Sequence, residues 1–188
     1  SIVMNLPRMC MLRMLGCSTI THTALTHLHM HRLDTLKELS VTVTSENIDA
    51  VVALLSTDGH GALINVGLSL NEKPTSMRLQ QIIKSAVNVK TLRLFFVSNT
   101  DEVLRLVGKY CCNLELLLFS STDIPTTGLD TAPCALAYGC PRLRKVVMEK
   151  ASDVPLAARH LWNKVRPQLR FCLISDFSDY NICDSFTN

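Results

Sequence analysis

The stretch ALAYGCPRLRKVVM, residues 135–148, decides the fold of this chain, because it leads from a helix end into a short strand. Its second half reads Leu143-x-x-Val146-x-Met148. Residues two apart in a strand point to the same face, so Val146 and Met148 share a core. Leu143 enters that core from the preceding turn. The stretch therefore predicts a turn followed by a strand with one buried face.

The same pattern of aliphatic residues returns along the whole chain. Its first positions are residues 9, 36, 63, 89, 114, 143 and 169, so the intervals run from 25 to 29 residues. Leucine-rich repeats have periods of roughly 20 to 29 residues. The segment that fits the repeat pattern best is Leu63-x-x-Val66-x-Leu68, which is followed by Asn71 at the expected turn position. The sequence therefore predicts about seven repeats, with a strand starting near each first position.

Between the strands, the apolar residues follow a helical period. Such stripes occupy residues 48–55, 77–86, 103–107, 132–138 and 156–161, each after Ser, Thr, Asp or Pro residues that favour helix starts. Parallel strands need crossover connections of this kind. We expect an α/β leucine-rich-repeat solenoid, a right-handed horseshoe with a parallel sheet on its concave face and helices on its convex face. The repeats should span residues 1–175, and residues 176–188 should form a C-terminal cap or a frayed tail.

Composition excludes several classes of protein. Hydrophobic residues make up 47% of the chain and aromatic residues 5%, so the core should be aliphatic. A net charge of +3 is too small and too scattered to favour nucleic-acid binding. No apolar run approaches the roughly 18 residues that a membrane helix needs. Several of the eight cysteines fall at equivalent repeat positions, which favours reduced thiols in a cytoplasmic or nuclear protein.

Cysteine also marks the turn before two of the strands, in Cys140-Pro141-Arg142-Leu143 and in Cys111-Cys112-Asn113-Leu114. Residues 135–148, with residues 12–21 (LRMLGCSTIT), resemble the two halves of the cysteine-containing leucine-rich-repeat hallmark. This subtype is most similar to the repeats of F-box/LRR proteins, and the resemblance covers nearly the whole chain as repeats.

The resemblance implies that the repeats capture the substrate of a cullin-type ubiquitin ligase. The Skp adaptor and the cullin would be reached only through an N-terminal F-box, a motif that we do not find in this sequence. Because the chain starts within a repeat, we expect a fragment of a longer protein. The alternatives are a repeat scaffold outside ubiquitin chemistry, inhibitor-like or signalling, and a metal-dependent enzyme, which we rank last.

Strand residues between the core positions should form the partner-binding face. They are polar in the second and third repeats and apolar from the fourth onward, and an exposed apolar patch usually marks an interaction site. A register error of one residue would instead swap the two faces. In the last strand, the C-terminal tail could cover Phe171 and Leu173 instead of a partner. The predicted partner-binding residues are Arg13, Arg93, Phe95, Leu116, Leu118, Lys145, Val147, Phe171 and Leu173.

No motif indicates catalysis. His27 and His31 stand four residues apart, with His22 and His29 nearby, but no carboxylate other than Asp34 is well placed as a third metal ligand, so we expect a solvated helix face. The cysteines lack the paired spacing of a zinc site. Residues 58–61 (DGHG) lack the Lys and Ser/Thr of a phosphate loop and predict a turn. We expect no enzyme activity, no metal and no cofactor.

Overall fold

The computed structural model describes residues 9–17, 19–30, 35–56, 63–70, 72–121, 132–149, 164 and 166–174. The helix predicted over residues 156–161, the DGHG turn, Asn71 and the tail 176–188 lie outside these residues. The strands are β1 (Met11–Met14), β2 (Glu38–Thr42), β3 (Asn65–Ser69), β4 (Thr91–Val97), β5 (Leu116–Ser121), β6 (Lys145–Glu149) and β7 (Arg170–Ile174). The helices are α1 (His22–Met30), α2 (Ile48–Leu55), α3 (Ser76–Ser85), α4 (Thr100–Tyr110) and α5 (Ala132–Gly139).

The seven strands form one parallel sheet in which each strand pairs with the next in the sequence. The prediction of an α/β fold with a parallel sheet is confirmed. Strands β1 to β6 each start two residues after a predicted first position. Just before or at the start of each strand from β2 to β7, one backbone N–H donates to a carbonyl at the corresponding place of the preceding unit. The six bonds, donor first, are Lys37 to Cys10, Ile64 to Lys37, Lys90 to Ile64, Glu115 to Lys90, Arg144 to Glu115 and Arg170 to Arg144.

The main core lies between the sheet and the helices. Each of β2 to β6 contributes alternate aliphatic residues to it, for example Leu39, Leu92 and Val146, which have no exposed surface. The helices contribute facing residues such as Val51 and Ile83. Burying one such side chain contributes about 1.5–3 kcal/mol, so the stacked rows of strand and helix residues hold the layers together.

Two glycines let α4 and α5 approach closely. A Cβ on Gly139 would lie 1.7 Å from the carbonyl oxygen of Gly108, and a Cβ on Gly108 would lie 2.4 Å from the carbonyl oxygen of Ala135. Both obstacles are backbone atoms, which no side-chain rotation can move. Glycine is therefore required at both places for this helix pair to pack as it does.

The turn after β2 uses a different residue from the one predicted. Thr44 stands three residues after Val41, the position that Asn71 has after Leu68, so the repeat pattern predicts it as the turn residue. The buried side chain of Asn47 makes the hydrogen bonds of this turn instead. Its Nδ2 donates to the carbonyls of Ile20, 3.1 Å away, and of Thr42, 3.0 Å away, and its Oδ1 accepts from the N–H of Thr44 at 2.9 Å. Asn47 also directly precedes α2. An amide has both a donor and an acceptor and so satisfies buried carbonyls and an N–H together.

Strand β4 ends in a bulge. Its register with β5 shifts between Leu94 and Val97, and Phe96 adopts φ 58° in the left-handed region. The N–H of Phe96 donates to Ser120 Oγ at 3.0 Å, and the ring is 55% exposed. The sequence pattern places a turn at Val97, but the bulge lets the strand continue to Val97, which is buried.

We expect Phe96→Gly to raise the free energy of unfolding by about 1 kcal/mol. A left-handed conformation costs a non-glycine residue about 1–2 kcal/mol, and little buried surface is lost with this exposed ring. Phe96→Ala, which keeps the Cβ, is the matched control and should give no such gain. Urea unfolding of the two variants measures the difference, and equal midpoints would show that the backbone at residue 96 is unstrained.

Candidate functional site

The candidate site lies on the face of the sheet turned away from the helices, called here the helix-distal face. Its side chains come from strand positions that alternate with the main core. Parallel pairing aligns them in rows across the sheet, and two of these rows extend over all seven strands. One row is Arg13, Ser40, Gly67, Arg93, Leu118, Val147 and Cys172, and the other is Met11, Glu38, Asn65, Thr91, Leu116, Lys145 and Arg170.

Apolar residues occupy the β5–β7 part of this face. Leu116, Leu118 and Val147 form a cluster separate from the main core, and Cys172 packs against it. The structure brings together three of the predicted partner-binding residues. The expectation that they form an exposed patch is wrong, since Leu118 is 1% exposed and Val147 is fully buried.

The last strand differs by one residue from the predicted register. Phe171 is paired with Val146 and Leu173 with Met148, both of which belong to the main core, whereas Cys172 is paired with Val147. Phe171 and Leu173 therefore occupy core-facing strand positions and not positions on the helix-distal face. The reason is that buried Leu169 precedes Phe171 by two residues, whereas earlier units have three at this point. The sequence contains both spacings and cannot distinguish them.

The remaining predicted residues differ in exposure. Phe95 and Lys145 are half-buried, and the side chain of Arg13 on β1 is 45% exposed. Arg93, which the sequence placed on the partner-binding face, is buried with 3% exposure.

A buried ion pair connects two strands that are not neighbours. Glu38 on β2 accepts from Arg93 Nη1 on β4 through its Oε1 at 3.2 Å, and from Arg13 Nε on β1 at 2.6 Å. The side chains of Glu38 and Arg93 are 6% and 4% exposed. On β3, Gly67 is paired with Ser40 on one side and with Arg93 on the other. Because Gly67 has no side chain, nothing at this position obstructs the path of Arg93 towards Glu38. Sequence reasoning placed Glu38 on this face but did not assign it a role.

The charge of Glu38 is held by its two arginines. Burial alone would raise the pKa of this carboxyl group, but the hydrogen bond from Arg13 and the positive charge of Arg93 outweigh burial and lower the pKa below its ordinary value. Glu38 is therefore ionised at neutral pH.

Four buried polar atoms of the helix-distal face have no hydrogen-bond partner in the protein. They are Ser40 Oγ, Asn65 Oδ1, and Nε and Nη2 of Arg93. Buried polar atoms are satisfied in the great majority of cases, so this grouping on β2 to β4 is unusual.

The predicted cysteine positions stabilise contacts between successive units. The Cys111 thiol lies 3.7 Å from the carbonyl of Ile83, and the Cys140 thiol lies 3.6 Å from the carbonyl of Val107, in each case on the preceding helix. In the last unit Arg166 takes this position, and its guanidinium donates to the carbonyl of Cys140 at 2.7 Å. The same interaction between units is thus made by a thiol twice and by a guanidinium once.

Burial should protect Cys111 from alkylation, whereas its neighbour Cys112 is exposed. Burial is the main cause that raises the pKa of Cys111 from 9.0 to about 12, and Cys140 behaves likewise. The thiolate fraction of Cys111 at pH 8 is then about a thousandfold below that of a thiol with the ordinary value.

We expect iodoacetamide at pH 8 to modify Cys10, Cys17 and Cys112 within minutes and to spare Cys111 and Cys140. Peptide mass spectrometry reads the sites, and labelling in urea provides the unfolded reference. Cys111 and Cys112 are adjacent and serve as a matched pair. Equal labelling of the two in the folded protein would contradict the packing described here.

The predicted histidine cluster lies only partly within the described residues. His22 and His27 are exposed on α1, while the side chain of His29 and all of His31 lie outside the described residues. Within the described parts of the chain, no three His, Cys, Asp or Glu residues are grouped to hold a metal ion. No described helix is long and apolar enough to cross a bilayer.

Comparison with known proteins leaves the structure as the main guide to function. No protein-family model matches the sequence, and no curated protein matches it.

Proposed function

We propose that this chain is a leucine-rich-repeat solenoid of the cysteine-containing kind, which binds a protein partner through its helix-distal face. The observation that carries the proposal is the interaction between successive units. The same backbone hydrogen bond recurs from one unit to the next, and Cys111 and Cys140 reach the preceding helix from equivalent positions. Arrays of this kind gain stability from neighbour contacts and present an extended surface of equivalent strand positions, which suits protein recognition.

The particular role that we propose is substrate capture for a cullin-type ubiquitin ligase of the F-box/LRR kind, in the cytoplasm or nucleus. The support is the Cys-Pro-Arg-Leu turn at residues 140–143 and the equivalent turn of the preceding repeat at residues 111–114. The mechanism is tethering: the repeats hold the substrate, and an F-box outside this sequence joins the Skp adaptor. A repeat scaffold outside ubiquitin chemistry is the second candidate.

Co-purification of the full-length gene product with the Skp adaptor tests the ligase role. We expect a stoichiometric complex that survives size-exclusion chromatography. The isolated repeats should not bind the adaptor and provide the control. Partner binding by the full-length protein without adaptor binding would favour the scaffold role, and absence of both would overturn the whole proposal.

A further inference from the structure

The ion pairing of arginine changes along the chain. Each described arginine before residue 140 pairs with a carboxylate, and these pairs are Arg13–Glu38, Arg93–Glu38, Arg78–Asp49 and Arg105–Asp101. The described arginines after residue 140 make no ion pair within the part of the chain that the structure describes. They are Arg142, Arg144, Arg166 and Arg170. Uncompensated positive charge therefore collects in the units of β6 and β7.

Three of these arginines lie together where β6 and β7 begin. Arg170 is the first residue of β7, and its N–H donates to the carbonyl of Arg144 at 2.9 Å. Arg142 precedes Arg144 by two residues, a distance of at most about 7 Å along the chain. All three residues are exposed, and together they are called here the arginine corner. The corner is therefore accessible to a partner, unlike the buried middle of the helix-distal face.

The acidic residues of the adjoining strands do not neutralise the arginine corner. The carbonyl of Glu115 accepts from the N–H of Arg144, but the side chain of Glu115 pairs with Lys90 at 3.2 Å. Glu149 is the last residue of β6 and lies about 13 Å along the strand from its start. Neither carboxylate pairs with an arginine of the corner.

Arg166 adds positive charge beside the corner. Its guanidinium donates to the carbonyls of Cys140 at 2.7 Å and of Pro141 at 2.9 Å, directly before Arg142. These acceptors are neutral, so they do not cancel the charge of Arg166. Lys145 already has an interaction partner, so only the arginines are considered as donors to a ligand. Four guanidinium groups therefore favour a negatively charged partner at this place.

An acidic protein segment fits the arginine corner better than a nucleic acid does. A guanidinium group matches a carboxylate through two parallel hydrogen bonds. One exposed ion pair contributes only about 0–1 kcal/mol, so a partner must present several carboxylates together. A nucleic acid needs a stripe of positive charge along its backbone, whereas the exposed arginines end next to the Lys90–Glu115 pair.

We propose that the arginine corner binds an acidic segment of the partner protein, in which two or three Asp or Glu side chains lie within about 10 Å, or three to four extended residues. Arg142, Arg144 and Arg170 bind one carboxylate each. The corner adjoins the helix-distal face, because Arg170 belongs to one of its rows. This inference rests on the proposed function and adds the chemistry of the partner.

The test starts from a library of random twelve-residue peptides displayed as internal segments, so that no free carboxyl terminus competes with side chains. Peptides selected on the 188-residue chain should contain at least two Asp or Glu residues within four positions. A synthetic peptide with these residues changed to Asn or Gln should bind roughly 10- to 100-fold more weakly by calorimetry, the sum of two or three exposed ion pairs. Raising the salt concentration should weaken the acidic peptide and not its amide counterpart.

A variant that combines Arg142→Gln, Arg144→Gln and Arg170→Gln removes the charge of the corner. It should bind the selected peptides roughly 10- to 100-fold more weakly than wild type. The matched control loses the same three charges at exposed positions elsewhere, and it should bind within about twofold of wild type. Its changes are Lys73→Gln, Lys84→Gln and Lys109→Gln. A thermal melt of each variant confirms folding, and the double change at residues 144 and 170 serves if the triple variant does not fold.

The segment that follows β7 is a competitor for the same place. It contains Asp176, Asp179 and Asp184 and no Lys or Arg. Changing these three residues to Asn in the 188-residue chain should leave peptide affinity within about threefold of wild type. A gain of tenfold or more would make this segment the occupant of the corner and overturn binding of a partner there.

The remaining outcomes overturn the inference in distinct ways. Selected peptides that lack acidic residues, or equal losses in the arginine variant and the lysine control, would overturn it and leave protein binding intact. A twelve-nucleotide single-stranded RNA that binds more tightly than the acidic peptides, through the same arginines, would assign the corner to nucleic acid. Failure to select any peptide would also count against this inference, while the adaptor experiment above decides the proposed function separately.

Discussion

Glu38→Gln is expected to lower the free energy of unfolding by about 3–5 kcal/mol, the range measured when one partner of a buried ion pair is removed. The substitution keeps the shape of the side chain but leaves the guanidinium of Arg93 buried without a counter-charge. The side chain of Arg13 is 45% exposed, so water screens its charge and its share of this loss is smaller. Urea unfolding at pH 7 measures the change.

Glu115→Gln is the matched control for this prediction. Glu115 pairs with Lys90 at 3.2 Å, but both side chains are more than a third exposed. An exposed pair contributes about 0–1 kcal/mol, so this variant should remain close to wild type. Adding Arg93→Met to Glu38→Gln should recover part of the lost stability, because the uncompensated cation is then removed. Equal, small losses for Glu38→Gln and Glu115→Gln would show that Glu38 is solvated.

The same carboxyl group gives a pH dependence with a definite sign. The pKa of Glu38 is lower in the folded than in the unfolded chain, so the unfolded chain binds the proton first as the pH falls. The stabilisation is complete above the ordinary pKa of about 4.3 and is lost as the pH falls through the lowered value. Unfolding curves of wild type and Glu38→Gln should therefore converge in acid.

Gly139→Ala is expected to lower the free energy of unfolding by about 3 kcal/mol, the upper end of the usual overpacking range. The added Cβ would lie 1.7 Å from the carbonyl oxygen of Gly108, and only a shift of α5 away from α4 relieves that contact. Since helices in this array are held by their neighbours, the shift also weakens the packing of Leu136.

Tyr138→Ala is the control for Gly139→Ala. Tyr138 is the preceding residue of α5 and is 76% exposed, so its removal should change stability by less than about 0.5 kcal/mol. Thermal unfolding compares the two, and hydrogen exchange should show faster exchange in α5 of the glycine variant. A Gly139→Ala protein with the wild-type melting temperature would show that α4 and α5 lie further apart than described.

The spacing of aliphatic residues predicted the core-facing side of most strands. Leu36-x-x-Leu39-x-Val41 and the equivalent residues of the next four units predict the face that packs on the helices, and β2 to β6 follow this prediction. Where two spacings were available, as at Leu169, Phe171 and Cys172, the repeat pattern did not distinguish them. Asn47 was missed because the consensus position was filled by Thr44, while the amide three residues later made the bonds.

The site was only partly predictable for a related reason. Arg93, Leu116, Leu118 and Val147 were placed on one face by the strand alternation, which is a local property. Their burial could not be predicted in this way, because the exposure of a side chain depends on what neighbouring units contribute to the same face. The contact between Arg93 and Glu38 joins residues 55 apart across an intervening strand, and no spacing rule within one repeat predicts it.

The sequence by itself determined the strand period, the helical crossovers and the cysteine positions that connect successive units, because each depends on residues close in the chain. Only the tertiary structure decided the bulge at Phe96, the glycine contact between α4 and α5, and the burial of Glu38 with Arg93. Those features depend on distances between units, and such distances are set by how side chains of different units fill the same space.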